Sequence, residues 1–248
     1  MGYARKVKKH FWMRYRNEGA SERLHDRVHI LTVFVEDAES HWDEASKHKF
    51  WRSLEQVIPY LCAEAKRYGT ELEVKHSHFV MEIPADYTAH WFTYLPRFFP
   101  GRTILELQQH YEKKLGCDEA PFLFVFNQKG RCYACADKDG DGYESEEFSV
   151  IFRDFKPFAI MHELLHQFGA RDYYFPAWVK EIAQKYYPES IMLGGGMEVD
   201  DLTAFLVGWQ PEISETSYHF LKDTMRLNEK VMEEARKAEW AKTKGQKF

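Results

Sequence analysis

Cysteine is scarce in this chain: four residues, at 62, 117, 132 and 135, in a length of 248. That is too few for a disulfide scaffold to carry a fold of this size. Long hydrophobic runs are missing too. No stretch approaches the roughly 20 apolar residues of a membrane-spanning helix, and the basic start is not followed by the apolar segment of a secretion signal. Positive charge is not in excess, since the net charge is −5, so nucleic acid is not expected as the main partner. Internal repeats and low-complexity tracts are lacking as well. These absences lead to the expectation of a soluble, cytoplasmic chain, and an N-terminus trimmed from a longer one would read the same way.

What is present is enough apolar material for a core. Hydrophobic residues make up 44% of the chain, and the length suits one large domain or two lobes sharing a cleft. The basic residues Arg5, Lys6, Lys8, Lys9, Arg14 and Arg16 read as a solvated, mobile end. Residues 1–26 are therefore an expected N-terminal extension.

Val28 to Val35 is rich in Val, Ile and Leu, as a buried strand is. A helix is predicted from about Asp43 to Tyr68, with Leu54, Ile58, Leu61, Ala65 and Tyr68 at helical spacing and Gly69 as its stop. Pro59 should kink or divide it. Leu72 to Met81 reads as a second strand. The aromatic, proline-bearing stretch 83–101 reads as a loop. Thr103 and Glu106 stand in capping-box spacing and open a helix that ends at Gly116. Phe122 to Phe126 fits a central strand, Gly130 to Asp137 an edge strand, and Phe148 to Phe152 a further strand. Strands alternating with helices argue for an α/β layer built on a mostly parallel sheet.

The next helix carries His162-Glu163-Leu164-Leu165-His166, followed by Gly169 and Asp172. Histidines four residues apart lie on one helical face and reach a single metal ion. Phe158, Met161, Leu165 and Phe168 form the adjoining apolar stripe, so the imidazoles point away from the core. Gly169 suits a left-handed helix end, after which the chain returns Asp172 to the metal. Two histidines and one carboxylate leave a fourth position open, as in catalytic rather than structural zinc. Glu163 is placed to act as the general base toward a water molecule. A rival third ligand is Glu181, on a helix expected over about Ala177 to Tyr186.

The H-E-x-x-H-x-x-G-x-x-D pattern resembles the metzincin zinc metalloproteases, with the aspartate version similar to that of the snapalysins. Ser190-Ile191-Met192, before the glycines at 194 to 196, fits the methionine-containing turn that lies below the metal in that superfamily. Met197 is a second candidate for the methionine. The resemblance spans about residues 27–209, with its specific motifs confined to 162–192. It implies a mixed, mostly parallel sheet with an antiparallel edge strand, packed by helices, and a smaller helical C-terminal lobe beyond about residue 169. It also implies a catalytic domain over 27–213, a peptide or protein substrate, and an edge strand at Gly130 to Asp137 that binds extended peptide by strand addition. The closing helix of the family corresponds to Leu202–Val207, capped by Asp200 or Asp201. Departures are the aspartate in place of the commoner third histidine and the absent secretion signal.

The function expected is zinc-dependent endopeptidase activity, with His162, His166 and Asp172 as ligands and Glu163 as catalytic base. Tyr173 or Tyr174 is a candidate for stabilising the oxyanion. The alternatives are a zinc hydrolase of a non-peptide amide and a non-catalytic interaction module with a vestigial metal site. Asp137, Asp139 and Asp141 alternate like the start of a calcium loop, but the twelfth position is Phe148 where a bidentate glutamate belongs. A polar hairpin is the competing reading. Cys132 and Cys135 form one C-x-x-C without a second pair, and read as free thiols on opposite sides of a strand. Residues 214–248 are an expected helical extension, docked on the body or offering a face to a partner. Nothing in the sequence sets the oligomeric state.

Overall fold

The computed structural model describes residues 3–10, 12, 13, 16–18, 20–38, 40–83, 97, 103–137 and 146–245. Its strands are β1 (Asp26–Glu36), β2 (Leu72–Glu82), β3 (Phe122–Phe126), β4 (Tyr133–Asp137) and β5 (Glu146–Phe152). They form one sheet in the order β2-β1-β3-β5-β4. All neighbours are parallel except β4 and β5, which run antiparallel, and β4 lies on the sheet edge. Among the described residues there are seven α-helices: α1 (Tyr3–Val7), α2 (Glu44–Arg67), α3 (Ile104–Leu115), α4 (Pro157–Gln167), α5 (Ala177–Tyr186), α6 (Asp201–Leu206) and α7 (Glu215–Gly245). The class is α/β with a mostly parallel mixed sheet, as the alternation of elements predicts.

Side chains on alternate strand positions point to opposite faces, and β1 divides its apolar residues accordingly. Val28, Ile30 and Phe34 join one core with α2, α4 and the C-terminal helices. Leu31, Val33 and Val35 join a second core with Phe122, Phe124 and residues of α3. Each buried Phe or Leu contributes about 1.5–3 kcal/mol relative to exposure. A sheet buried on both faces in this way needs near-continuous apolar strands, and Phe122–Phe126 is buried throughout.

Local signals set the helix ends. The Asp43 side chain accepts from Ser46 N, and Thr103 accepts from Glu106 N. Gly116 ends α3 with φ 65°, a left-handed conformation that costs glycine least. Pro59 does not divide α2, which runs unbroken for 24 residues. The ring lies on the exposed side of the helix, where water reaches the carbonyl that proline cannot bond. The buried stripe of Leu54, Val57, Leu61 and Ala65 holds both halves on the sheet.

The N-terminal segment corrects the expectation of a solvated end. Val7, His10 and Trp12 are buried. His10 Nε2 lies 3.1 Å from Thr224 Oγ1 on α7, and Arg16 Nε donates to the Phe205 carbonyl at 2.9 Å. The apolar side chains of this segment outweigh its charges, of which Arg5, Lys6, Lys8 and Lys9 stay exposed.

Most of the aromatic stretch 83–101 lies outside the described residues. So do Asp139 and Asp141 of the suggested calcium loop, while the Asp137 backbone ends β4. No helix among the described residues is long and apolar enough to cross a membrane.

Candidate metal centre

Helix α4 begins with Pro157 at its first turn, where a missing N–H costs nothing. Buried Ile160, Met161, Leu164 and Leu165 seat it on the sheet. A polar pin fixes its rotation. Ser149 Oγ on β5 donates to the Glu163 carbonyl at 2.8 Å and takes the Gln167 amide at 2.7 Å. With the helix so held, His162 and His166 project together to one side, their rings 4.7 Å apart and nearly perpendicular.

Gly169, with φ 96°, turns the chain after the helix. Asp172 then comes back to the imidazoles. Its Oδ1 is 3.2 Å from His162 Nε2 and 3.2 Å from His166 Nε2, and the two Nε2 atoms are 3.2 Å apart. Three donor atoms therefore form a near-equilateral triangle. A tetrahedral ion with bonds of about 2.0–2.1 Å spaces its ligands about 3.3 Å apart. The residues fit such an ion.

The tautomers support the same conclusion. His162 Nδ1 lies 3.0 Å from the Ile191 carbonyl, and His166 Nδ1 lies 2.8 Å from the Ala170 carbonyl. Each Nδ1–H donates there, so each Nε2 of a neutral ring presents a lone pair. Asp172 Oδ1 is buried without a hydrogen-bond donor. With both rings neutral, three lone-pair atoms would face one point, and a cation between them would remove their repulsion. This His/His/Asp group can hold a metal ion, and it is the one such group among the described residues.

Beneath it, a 3-10 turn over Ile191–Leu193 supplies the carbonyl that orients His162. Met192 is fully buried, and its carbonyl accepts from Tyr173 N at 2.8 Å. Met197 is 48% exposed, which separates the two methionine candidates. Gly196 faces a close backbone approach: a Cβ there would run into the Glu189 carbonyl. A buried carboxylate ties this floor together. Asp200 caps α6 through Leu202 N and Thr203 N and also accepts from Ser190 Oγ at 2.6 Å and Tyr173 Oη at 3.0 Å. Its capping role is legible in sequence, whereas its link to the turn and to Tyr173 is not.

Glu163 is 7% exposed. Burial pushes its carboxyl above the ordinary value, against the opposing pull of His166 and His162. It lines a cleft of about 880 Å³ together with His166, Asp172, Arg131 and residues of the β4 edge. A smaller cavity of about 370 Å³ lies on the His162 side, bounded by Phe158, Ile191 and the glycines at 194 to 196. Tyr174 borders both cavities. Arg131 donates to its hydroxyl at 3.2 Å, and burial with the nearby Asp172 pushes the phenol up to about 12.

The remaining candidates lie apart. Tyr173 is fully buried toward Asp200 and stacks on Trp12, with centroids 5.5 Å apart. Glu181 is exposed on α5 and does not join the metal-holding group. Cys132 packs against one core and Cys135 against the other. Arg131 and Trp12 enter the main cleft without any motif to mark them. They come from segments that precede β4 and β1, and only the tertiary fold brings them to this site. No protein-family model matches this chain, and no curated protein matches it.

Proposed function

We propose that this chain is a zinc-dependent endopeptidase of metzincin-like design. The observation that carries the reading is the triangle of donor atoms on His162, His166 and Asp172, with buried Glu163 beside it in an open cleft. Two histidines with a carboxylate suit zinc, and three protein ligands leave the open position that hydrolysis needs. When bound, zinc supplies Lewis acidity toward the scissile carbonyl and a water molecule.

The chain's own residues do the rest. An extended peptide pairs with the exposed edge of β4, whose outer backbone groups have no neighbouring strand among the described residues. Glu163 takes the proton of the attacking water and passes it to the leaving amine, a role suited to a carboxyl whose proton affinity burial has raised. The Tyr174 hydroxyl, between Arg131 and Asp172, turns its proton to the carbonyl oxygen as that atom gains charge.

The test uses the full chain. Chelation should abolish peptide cleavage and zinc readdition restore it. Glu163→Gln should keep one zinc per chain while lowering kcat by about 10²–10⁴. Wild-type turnover in Glu163→Gln, or in the chelated protein, would remove the mechanism.

A further inference from the structure

The charges around the two cavities are unevenly distributed. Arg131 and Arg171 line the main cleft, and Lys156 lines the smaller cavity on the His162 side. Among the described residues, the acidic side chains lining either are Glu163 and Asp172, and both belong to the proposed reaction centre. With a divalent ion bound, those two carboxylates would be balanced, and Arg131 and Lys156 would leave positive charge in the walls. This occurs on a chain whose net charge is −5, so the walls run against the overall charge. A cleft lined with one sign of charge concentrates ligands of the other.

Arg131 is tied to the site by its contacts. Its guanidinium holds the Tyr174 hydroxyl, and the carboxylates that it feels electrostatically are Asp172 and Glu163. It is exposed, and it shortly precedes the strand that offers its edge. A guanidinium carries five N–H donors in a planar fork matched to a carboxylate. One hydrogen bond to a phenol leaves capacity for a bidentate partner.

We propose that the cleft selects acidic peptide segments, with Arg131 as the specificity-determining residue that receives a carboxylate side chain beside the scissile bond. Lys156 extends the same preference to the His162 side. The inference rests on the peptidase reading for its geometry, and its test is a binding measurement that does not need turnover.

Zinc-loaded Glu163→Gln protein is titrated with three short peptides alike except at the positions flanking the central bond, which carry Glu, Gln or Lys. Affinity is read by competition against a common labelled peptide. The Glu peptide should bind about tenfold more tightly than the Gln peptide, and the Lys peptide more weakly than both. High salt should shrink the spread. Arg131→Gln should erase the advantage of Glu over Gln while leaving the Gln peptide nearly unaffected. Arg131→Lys should retain part of it, since a point charge replaces the fork. Circular dichroism checks that both variants fold. Equal binding of the three peptides, no binding of any, or a Glu preference that survives Arg131→Gln would overturn the proposal. Cleavage by the wild type separates the two readings. A Glu peptide bound in this way but never cut removes the peptidase and keeps the ligand class. Cleavage indifferent to Glu, Gln and Lys keeps the peptidase and removes the ligand class.

Discussion

At the scale of single residues, the third donor of the candidate site is the decisive one. Asp172 Oδ1 closes the triangle with both Nε2 atoms, whereas Glu181 is exposed on a neighbouring helix. Purified Asp172→Ala should therefore lose most of its zinc, and Glu181→Ala should hold one equivalent by elemental analysis. Stoichiometric zinc in Asp172→Ala would mean that another side chain completes the site. The His-Glu-Leu-Leu-His spacing makes the two imidazoles legible in the sequence, because a four-residue step along a helix always brings side chains to one face. Asp172 is legible only through the glycine that turns the chain. Tyr173 and Tyr174 cannot be separated in sequence. Which of two neighbours faces the cleft depends on backbone direction after the turn, and here Tyr173 N bonds to Met192 O and its ring goes inward.

At the scale of elements, the N-terminal segment is the part least visible from composition. Counting Arg and Lys suggests a solvated tail, but the residues between them decide the matter: Val7, His10 and Trp12 are buried against α7 and Tyr173. His10 makes this docking sensitive to acid. Burial lowers its pKa from 6.5 to about 4, so the unfolded chain binds this proton more readily than the folded one. Stability is therefore full above the unfolded value and is lost as pH falls from 6.5 toward 4, by at most about 3 kcal/mol. Thermal unfolding of wild type and His10→Gln across that range should converge as pH falls, with the wild type dropping more steeply. Parallel curves would remove His10 as the cause. By contrast, α3 is readable to the residue, since its cap, its Glu106 partner and Gly116 all act within one turn of their own positions.

For the whole molecule, two cores share one sheet, and buried carboxylates occur away from the metal centre. Glu119 accepts the backbone N–H groups of Glu22 and Arg23, both at 3.1 Å, and so joins the N-terminal segment to the entrance of β3. Burial raises its pKa from 4.5 to about 8. The folded protein thus binds this proton more readily, and the contribution is present below 4.5 and lost as pH rises through 8. A glutamine oxygen can accept the same two N–H groups. Glu119→Gln should match the wild type near pH 4.5 and melt at a higher temperature above pH 8. A lower melting temperature there would show that the charge is needed. The class and the succession of elements follow from alternating strands and helices, and the sheet order with β4 at its edge is that of a mostly parallel sheet closed by one antiparallel strand. The continuity of α2 through Pro59 is not legible in sequence, because it depends on which side of the helix meets solvent.

The carbonyls that orient the imidazoles carry a consequence for the timing of assembly. His162 is aligned by Ile191, 29 residues further along the chain, and Asp172 is set beside a residue bonded to Met192. While the protein is being synthesised, α4 leaves the ribosome before that turn exists, and its imidazoles still rotate freely. Two unfixed histidines make a weak and unselective trap for any divalent ion. On the metal-binding reading, tight capture would wait until the turn at Ile191–Leu193 has closed beneath them, so that the selection of metal would belong to the nearly finished chain rather than to the nascent helix.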